Sequence, residues 1–185
     1  MHKRFKSWQN HRAAPLFLLL LVATALVGCG VVAVHHVPEV GPISSNKIPD
    51  LHGSQPLDIK NGQPDAGEIE IGAVGVGKVV GNLQQWTAAM VSAVKVQLSQ
   101  RGATIVAAAP KSLSLRITKA EIHGIPIVGG ATSTIILTAT TADGLTADFE
   151  GSSYSLAPLS SINGTATDAV KKLLEDPTID TYLRR

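Results

Sequence analysis

The sequence predicts an α+β domain: a small, mostly antiparallel sheet with two helices packed on one face, in the order β-α-β-β-β-β-α. Three observations carry that expectation. Residues 83–101 place apolar side chains at spacings of three and four, as one face of a helix requires. Short stretches between 104 and 155 either alternate apolar with polar residues or are rich in Thr and Ile, which suits half-buried strands. A second helical pattern follows near 165–176. Two amphipathic helices beside one sheet bury their stripes by covering the same face.

The first segment in the chain is a leader. Lys3, Arg4, Lys6 and Arg12 make a cationic start without acidic residues, and an apolar run from Leu16 to Leu26 follows. The run closes in Leu26-Val27-Gly28-Cys29, where the only cysteine comes directly after a small residue. This arrangement resembles the lipobox of bacterial lipoproteins. There the thiol takes a diacylglycerol, the leader is cut before the cysteine, and the new N-terminus is acylated. Residues 1–28 are therefore expected to be a lipoprotein signal peptide and Cys29 the lipidation site. A competing reading is an uncleaved anchor continuing through Val31-Val32-Ala33-Val34. Pro15, Gly28 and Gly30 weaken it as a helix, and the run falls short of the ~20 apolar residues that span a bilayer. Two or three acyl chains hold a protein firmly where one holds it marginally. Gly30, rather than Asp, follows Cys29, which in a Gram-negative source points to the periplasmic face of the outer membrane over the inner membrane.

Four of the sixteen basic residues and none of the fourteen acidic ones precede Cys29, so the remainder carries a formal charge of −2. The basic pI belongs to the leader, and nucleic-acid binding, which needs a clustered basic face, loses its support. Trp86, Phe149, Tyr154 and Tyr182 are the only aromatic residues after the leader, thin material for stacking sugars or bases. The length suits one domain.

From Cys29 to residue 67 the chain is expected to be the lipidated cysteine and a flexible tether. Pro38, Pro42, Pro49, Pro56 and Pro64 recur without apolar periodicity, and such a segment buries too little to offset its ordering entropy. Leu57-Asp58-Ile59 is its one candidate for a short edge strand. Residues 68–185 then form a single periplasmic domain. Glu68 to Val74 alternates, with Ile69, Ile71 and Ala73 on one side. Leu83 to Arg101 is a helix with Leu83, Trp86, Met90, Val94 and Leu98 inward, Asn82 capping its start and Gly102 stopping it. Short strands follow at Thr104-Ile105-Val106 and at Leu113-Ser-Leu115-Arg-Ile117. Thr132 to Thr141 and Leu145 to Ser155 pair through a turn at Ala142-Asp143-Gly144. The last helix is expected from Thr165, with Thr165 and Asp168 as a capping box, to Asp176. Ala166, Ala169, Val170, Leu173 and Leu174 make its buried stripe, and Ile179 to Leu183 adds a turn.

This order and its local wording resemble the small bacterial outer-membrane lipoproteins of the YajG type. The residues concerned are Leu98-Ser-Gln-Arg101-Gly102, Leu113-Ser-Leu115-Arg-Ile117, Ala142-Asp143-Gly144 with Phe149 to Tyr154, and Ala169-Val170, Leu173-Leu174-Glu-Asp176 and Ile179-Asp-Thr-Tyr182-Leu183. The resemblance runs from about Ile69 to the end and includes the lipobox. It implies an outer-membrane lipoprotein and brings no catalytic residue with it.

Gly72 to Lys78 has the spacing of a phosphate loop, but Val79 replaces the Ser or Thr that would hold magnesium, so a Gly-rich turn is expected instead. His35, His36, His52 and His123 lack the spacing of a metal site. Ser152, Ser153 and Ser155 lie in a strand without a nucleophile elbow. Glu68 and Glu70 share one strand face, where a solvated surface is expected over acid–base work. Asn163-Gly164-Thr165 is expected as the loop before the last helix. Catalytic, cofactor and metal residues are expected to be none.

One segment is unusual. Ile122 to Gly130 joins two strands yet is apolar, whereas loops run over the surface and are polar. Ile125, Ile127 and Val128 are the candidate contact loop; the competing reading is a longer β-hairpin that buries them. The expected function is a non-enzymatic, lipid-anchored module that contacts another envelope protein, held to the membrane through Cys29. Two rivals are a carrier of lipid or another apolar ligand and a hydrolase with an unrecognised site.

Overall fold

The computed structural model describes residues 32–125 and 129–185. In chain order its elements are β1 (Ala33–His35), β2 (Leu57–Asn61), β3 (Glu68–Val74), β4 (Gly77–Asn82), α1 (Leu83–Gln100), β5 (Lys111–Gly124), β6 (Ala131–Thr141), β7 (Thr146–Ser155), α2 (Pro158–Glu175) and α3 (Pro177–Arg184). The class is α+β, as the sequence predicts. The seven strands form one mixed sheet in the order β1-β4-β3-β5-β6-β7, with β2 beside β5. The hairpins β3–β4, β5–β6 and β6–β7 are antiparallel, while β1–β4, β2–β5 and β3–β5 are parallel. At 14 residues β5 is long enough to serve two neighbours on one side. Its start pairs with β2 (Leu57 opposite Lys111) and its end with β3 (Gly72 opposite Ile122).

Alternation sets the two faces. Leu113, Leu115 and Ile117 of β5 stand opposite Thr141, Ala139 and Leu137 of β6 and are buried, with Phe149 of β7 opposite Leu137. The helices cover this face. α1 contributes Trp86, Met90, Val94 and Leu98, and α2 contributes Ile162, Ala166, Ala169, Val170 and Leu173, all of them buried. Trp86 also donates from Nε1 to the carbonyl of His36 at 2.6 Å, so its polar end is satisfied. Asn82 caps α1 by accepting from the Gln85 amide, and Gly102, at φ +88°, takes the left-handed position past its end. Gly151 lets α2 approach β7: a Cβ there would meet the Thr165 carbonyl and lie 2.7 Å from the Ala169 nitrogen.

The structure departs from expectation in several places. The stretch read as a flexible tether is packed from Val32 onward: residues 32 to 185 form one compact unit. β1 and β2 belong to the sheet, and Ile43, Ile48 and Leu51 are in the core. The prolines suppress helical periodicity but not burial. An extended strap crosses the helices and satisfies its backbone on them: Glu39 N bonds Asn163 Oδ1, Gly41 N bonds Thr167 Oγ1, and Leu51 N bonds the Arg101 carbonyl. The Gly-rich turn after β3 is a hairpin, with Gly75 and Val76 as the turn and β4 as the return strand. β3 alternates imperfectly because a bulge falls between Glu70 and Gly72, leaving Ile71 buried and Ile69 exposed.

α2 starts seven residues before the expected Thr165, with Pro158 in its first turn. Thr165 is not a cap. It is buried, and its hydroxyl lies 2.5 Å from the Ser133 hydroxyl. Asn163 and Gly164 are likewise inside the helix. α3 is capped by Asp176, which accepts from the Thr178 and Ile179 amides. No helix among the described residues is long and apolar enough to cross a membrane.

Candidate functional site

One end of the sheet gathers the apolar surface. Register places the start of β1 beside the start of β4 (Ala33 opposite Lys78), the β3–β4 turn beside them, the end of β5 beside β3 (Ala73 opposite His123), and the end of β7 beside the start of β6 (Ala131 opposite Ser155). Val32, Val76, Ile125, Gly130 and Leu156 therefore share that end. Val76 is 91% exposed, Leu156 72% and Val32 63%, the three most exposed large apolar residues described. A cleft of ≈ 480 Å³ lies there, lined by Ala73, Val74, Gly75, Gly124, Ile125, Gly129 and Gly130.

The candidate contact loop is shorter than the sequence suggests. Ile122 is fully buried in β5, and strand pairing persists to Gly124 opposite Ala131. Ile125 is half-buried at the mouth of the cleft. Its amide bonds the Gly130 carbonyl at 3.1 Å, and its carbonyl accepts from Gly129 at 3.0 Å. Ile127 and Val128 lie outside the described residues, as do Cys29 and the leader.

A second surface is the outer face of β5, β6 and β7, the side opposite the helices. It carries Arg116, Thr118, Thr134, Thr138, Thr140, Thr146, Asp148 and Glu150, exposed or half-buried. Thr118 and Thr138 hydroxyls lie 3.1 Å apart, and Thr138 donates to Asp148 at 2.6 Å. These cross-strand bonds tie Thr118, Thr138 and Asp148 together across three strands. The outer edge of β7 is guarded. Lys172 donates to the Glu150 carbonyl, Asp168 accepts from the Ser152 amide, and the two side chains pair at 2.9 Å. Backbone groups that would template another strand are thereby occupied.

The groups weighed for chemistry are scattered. His35 lies 2.8 Å from Glu68, its neighbour His36 turns to bond Asn163, and His52 pairs with Asp50. His123 is exposed, 3.6 Å from Glu121, whose carboxyl is held below its ordinary range first by its bond to Lys119. Lys78, the lysine of the phosphate-loop spacing, sits in β4 and pairs with Glu70 at 2.6 Å. Among the described residues no three His, Cys, Asp or Glu side chains converge as a metal site would need. No family model and no curated protein sequence matches this chain.

One buried cation carries no signal in the local sequence pattern. Lys111 starts β5 at the opposite end of the sheet, donates to the Leu183 carbonyl at 2.7 Å and stands 5.5 Å from the centre of the Tyr182 ring. Burial pushes its pKa below the ordinary lysine value, with Arg185 adding to the effect. The Tyr182 hydroxyl donates to the Ser112 carbonyl and accepts from the Ser112 and Ala142 amides. These bonds lock α3 over the β6–β7 turn, a structural role that explains the buried charge.

Proposed function

We propose that this chain is a lipoprotein held by Cys29 on the periplasmic face of the outer membrane, acting without catalysis as a contact or accessory module for another envelope component. The observation that carries the reading is the distribution of surface. The two long helices and the strap close one face of the sheet, while the opposite face of β5, β6 and β7 is left open, with threonine hydroxyls bonded across strands beside Ile136 and the exposed Tyr154, and is free to meet another protein. The lipobox residues and the resemblance to YajG-type lipoproteins support the anchor and the location. The contact loop around Ile125 belongs to this reading as a second surface, at the apolar end.

The test has two parts. Cells expressing the chain are labelled with a clickable fatty acid, and the Cys29→Ser variant is expected to lose the label and accumulate with its leader attached. Equal label on both would remove the anchor. Photo-crosslinkers at Thr138 and Asp148, in the bare face, are then expected to capture a defined envelope protein in intact cells. Capture of the same protein only from positions on α1 would move the contact off the sheet face.

A further inference from the structure

We propose that the apolar end of the sheet is a membrane-seating surface: Val32, Val76 and Leu156 rest in the headgroup layer of the bilayer that holds Cys29. This rests on the lipid-anchored reading and adds an orientation and a second point of attachment.

The first argument is chain length. Packing begins at Val32, so only Gly30 and Val31 separate the domain from Cys29. The three Cα–Cα steps from Cys29 to Val32 reach about 10 Å at most. A diacylglyceryl cysteine sits at the boundary of lipid chains and headgroups, and the headgroup layer of one leaflet is only roughly 5–8 Å deep. The part of the domain where the chain emerges is therefore held at the membrane surface, with no tether to lift it off.

The second argument is composition. The chain emerges at the end that also carries the β3–β4 turn and the β7–α2 connection. Val76, Leu156 and Val32 are exposed there by 91%, 72% and 63%, and no other described large apolar residue is as open. Apolar side chains at the tips of turns, with no core to fill, suit a layer into which surface-bound segments sink by roughly 5–10 Å. The third argument is charge. Lys78, the nearest lysine, is paired with Glu70 at 2.6 Å, so the seat is apolar and does not depend on anionic lipid.

The test uses the full acylated chain in phosphatidylcholine vesicles containing nitroxide-labelled lipid. Cys29 is the only native cysteine and its thiol is consumed by lipid, so single cysteines can be introduced and labelled with a fluorophore. Val76→Cys and Leu156→Cys probe the seat; Val96→Cys on α1 and Val106→Cys near the far end are exposed controls. Melting curves confirm that each variant folds, and mass spectrometry confirms the acyl group. Quenching at 76 and 156 is expected to exceed that at 96 and 106 several-fold and to persist in high salt. Equal quenching at all four positions on acylated protein overturns the seat and leaves the anchor standing. Absence of the acyl group overturns both. Probes at 76 and 156 that stay unquenched in vesicles but crosslink to a protein in cells overturn the seat and assign that end to a protein partner.

Discussion

Leu51→Ala decides whether the proline-rich stretch is part of the domain. Leu51 is 2% exposed and packs in the core, and its amide bonds the Arg101 carbonyl at 2.7 Å, so the strap is held at the end of α1. Truncation removes three carbons, worth about 0.8 kcal/mol each in transfer free energy, or roughly 2.4 kcal/mol before any cavity term. Buried Leu→Ala changes span about 2–5 kcal/mol. The strap has no strand partner at this point and can settle into part of the space, which places the expected loss near 2–3 kcal/mol. For a domain of roughly 150 residues that is a fall in Tm of about 5–10 °C. The assay is urea unfolding of purified Val32–Arg185 followed by Trp86 fluorescence. Asn46→Ala, an exposed change in the same strap, is the control and should stay within about 0.5 kcal/mol. If Leu51→Ala shifts the midpoint no further than Asn46→Ala, the strap is loose in solution and the argument from chain length to the membrane fails with it.

Three further outcomes follow from the packing. Gly151→Ala should cost about 1–3 kcal/mol, because the new methyl would press on backbone atoms of α2 that cannot rotate away; an unchanged urea midpoint would mean the helix lies further from β7 than described. Thr87→Val should stabilise the domain by about 1 kcal/mol, since the Thr87 hydroxyl is buried without a hydrogen-bond partner among the described residues; a loss of stability would point to a partner beyond them. Lys111 binds its proton less tightly folded than unfolded, so the unfolded chain holds more protons as pH climbs toward the ordinary lysine value of 10.5. Stability from this group therefore rises with pH in the window below 10.5, and Lys111→Met should flatten that rise in urea titrations at successive pH values. An identical slope in both proteins would refute it.

The elements that were legible in the sequence are those whose burial follows one period without interruption. α1 shows Trp86, Met90, Val94 and Leu98 at helical spacing between a capping Asn82 and a stopping Gly102, and the structure places it within a residue of expectation. β6 and β7 were equally plain from their threonines and the Asp143-Gly144 turn. The first half of α2 was hidden because its buried face is mixed there: Ile162 is buried between Ser161, which bonds the Pro158 carbonyl, and Thr165, which bonds Ser133, so a single isoleucine shows no period before Ala166. β4 was hidden by Gly77 and Gly81, the latter tucked under the Trp86 ring where a Cβ would lie 2.6 Å from a ring carbon. The strap was hidden because its anchors, Ile43, Ile48 and Leu51, are spaced by where α1 and α2 lie rather than by any local period. At the candidate site, the apolar character of the Ile125 region could be read directly. The company of Val32, Val76 and Leu156 could not, since only strand register brings three distant turns to one end.

The packed strap also changes what kind of contact the proposed module can make. A flexible tether of nearly forty residues would let the domain search for partners well away from its membrane. With two residues between Cys29 and the fold, reach comes from the fold itself. β6 has 11 residues and rises about 3.3 Å per residue, so the domain extends roughly 35 Å along its strands. If the apolar end is seated, those strands run away from the bilayer. The bare Thr-rich face then stands upright beside the membrane, and the end locked by Lys111 and Tyr182 points into the periplasm. A partner meeting that face must itself lie within a few tens of ångströms of the same membrane. Partners anchored there are favoured over soluble ones, because both molecules search in two dimensions with their contact faces at matching heights.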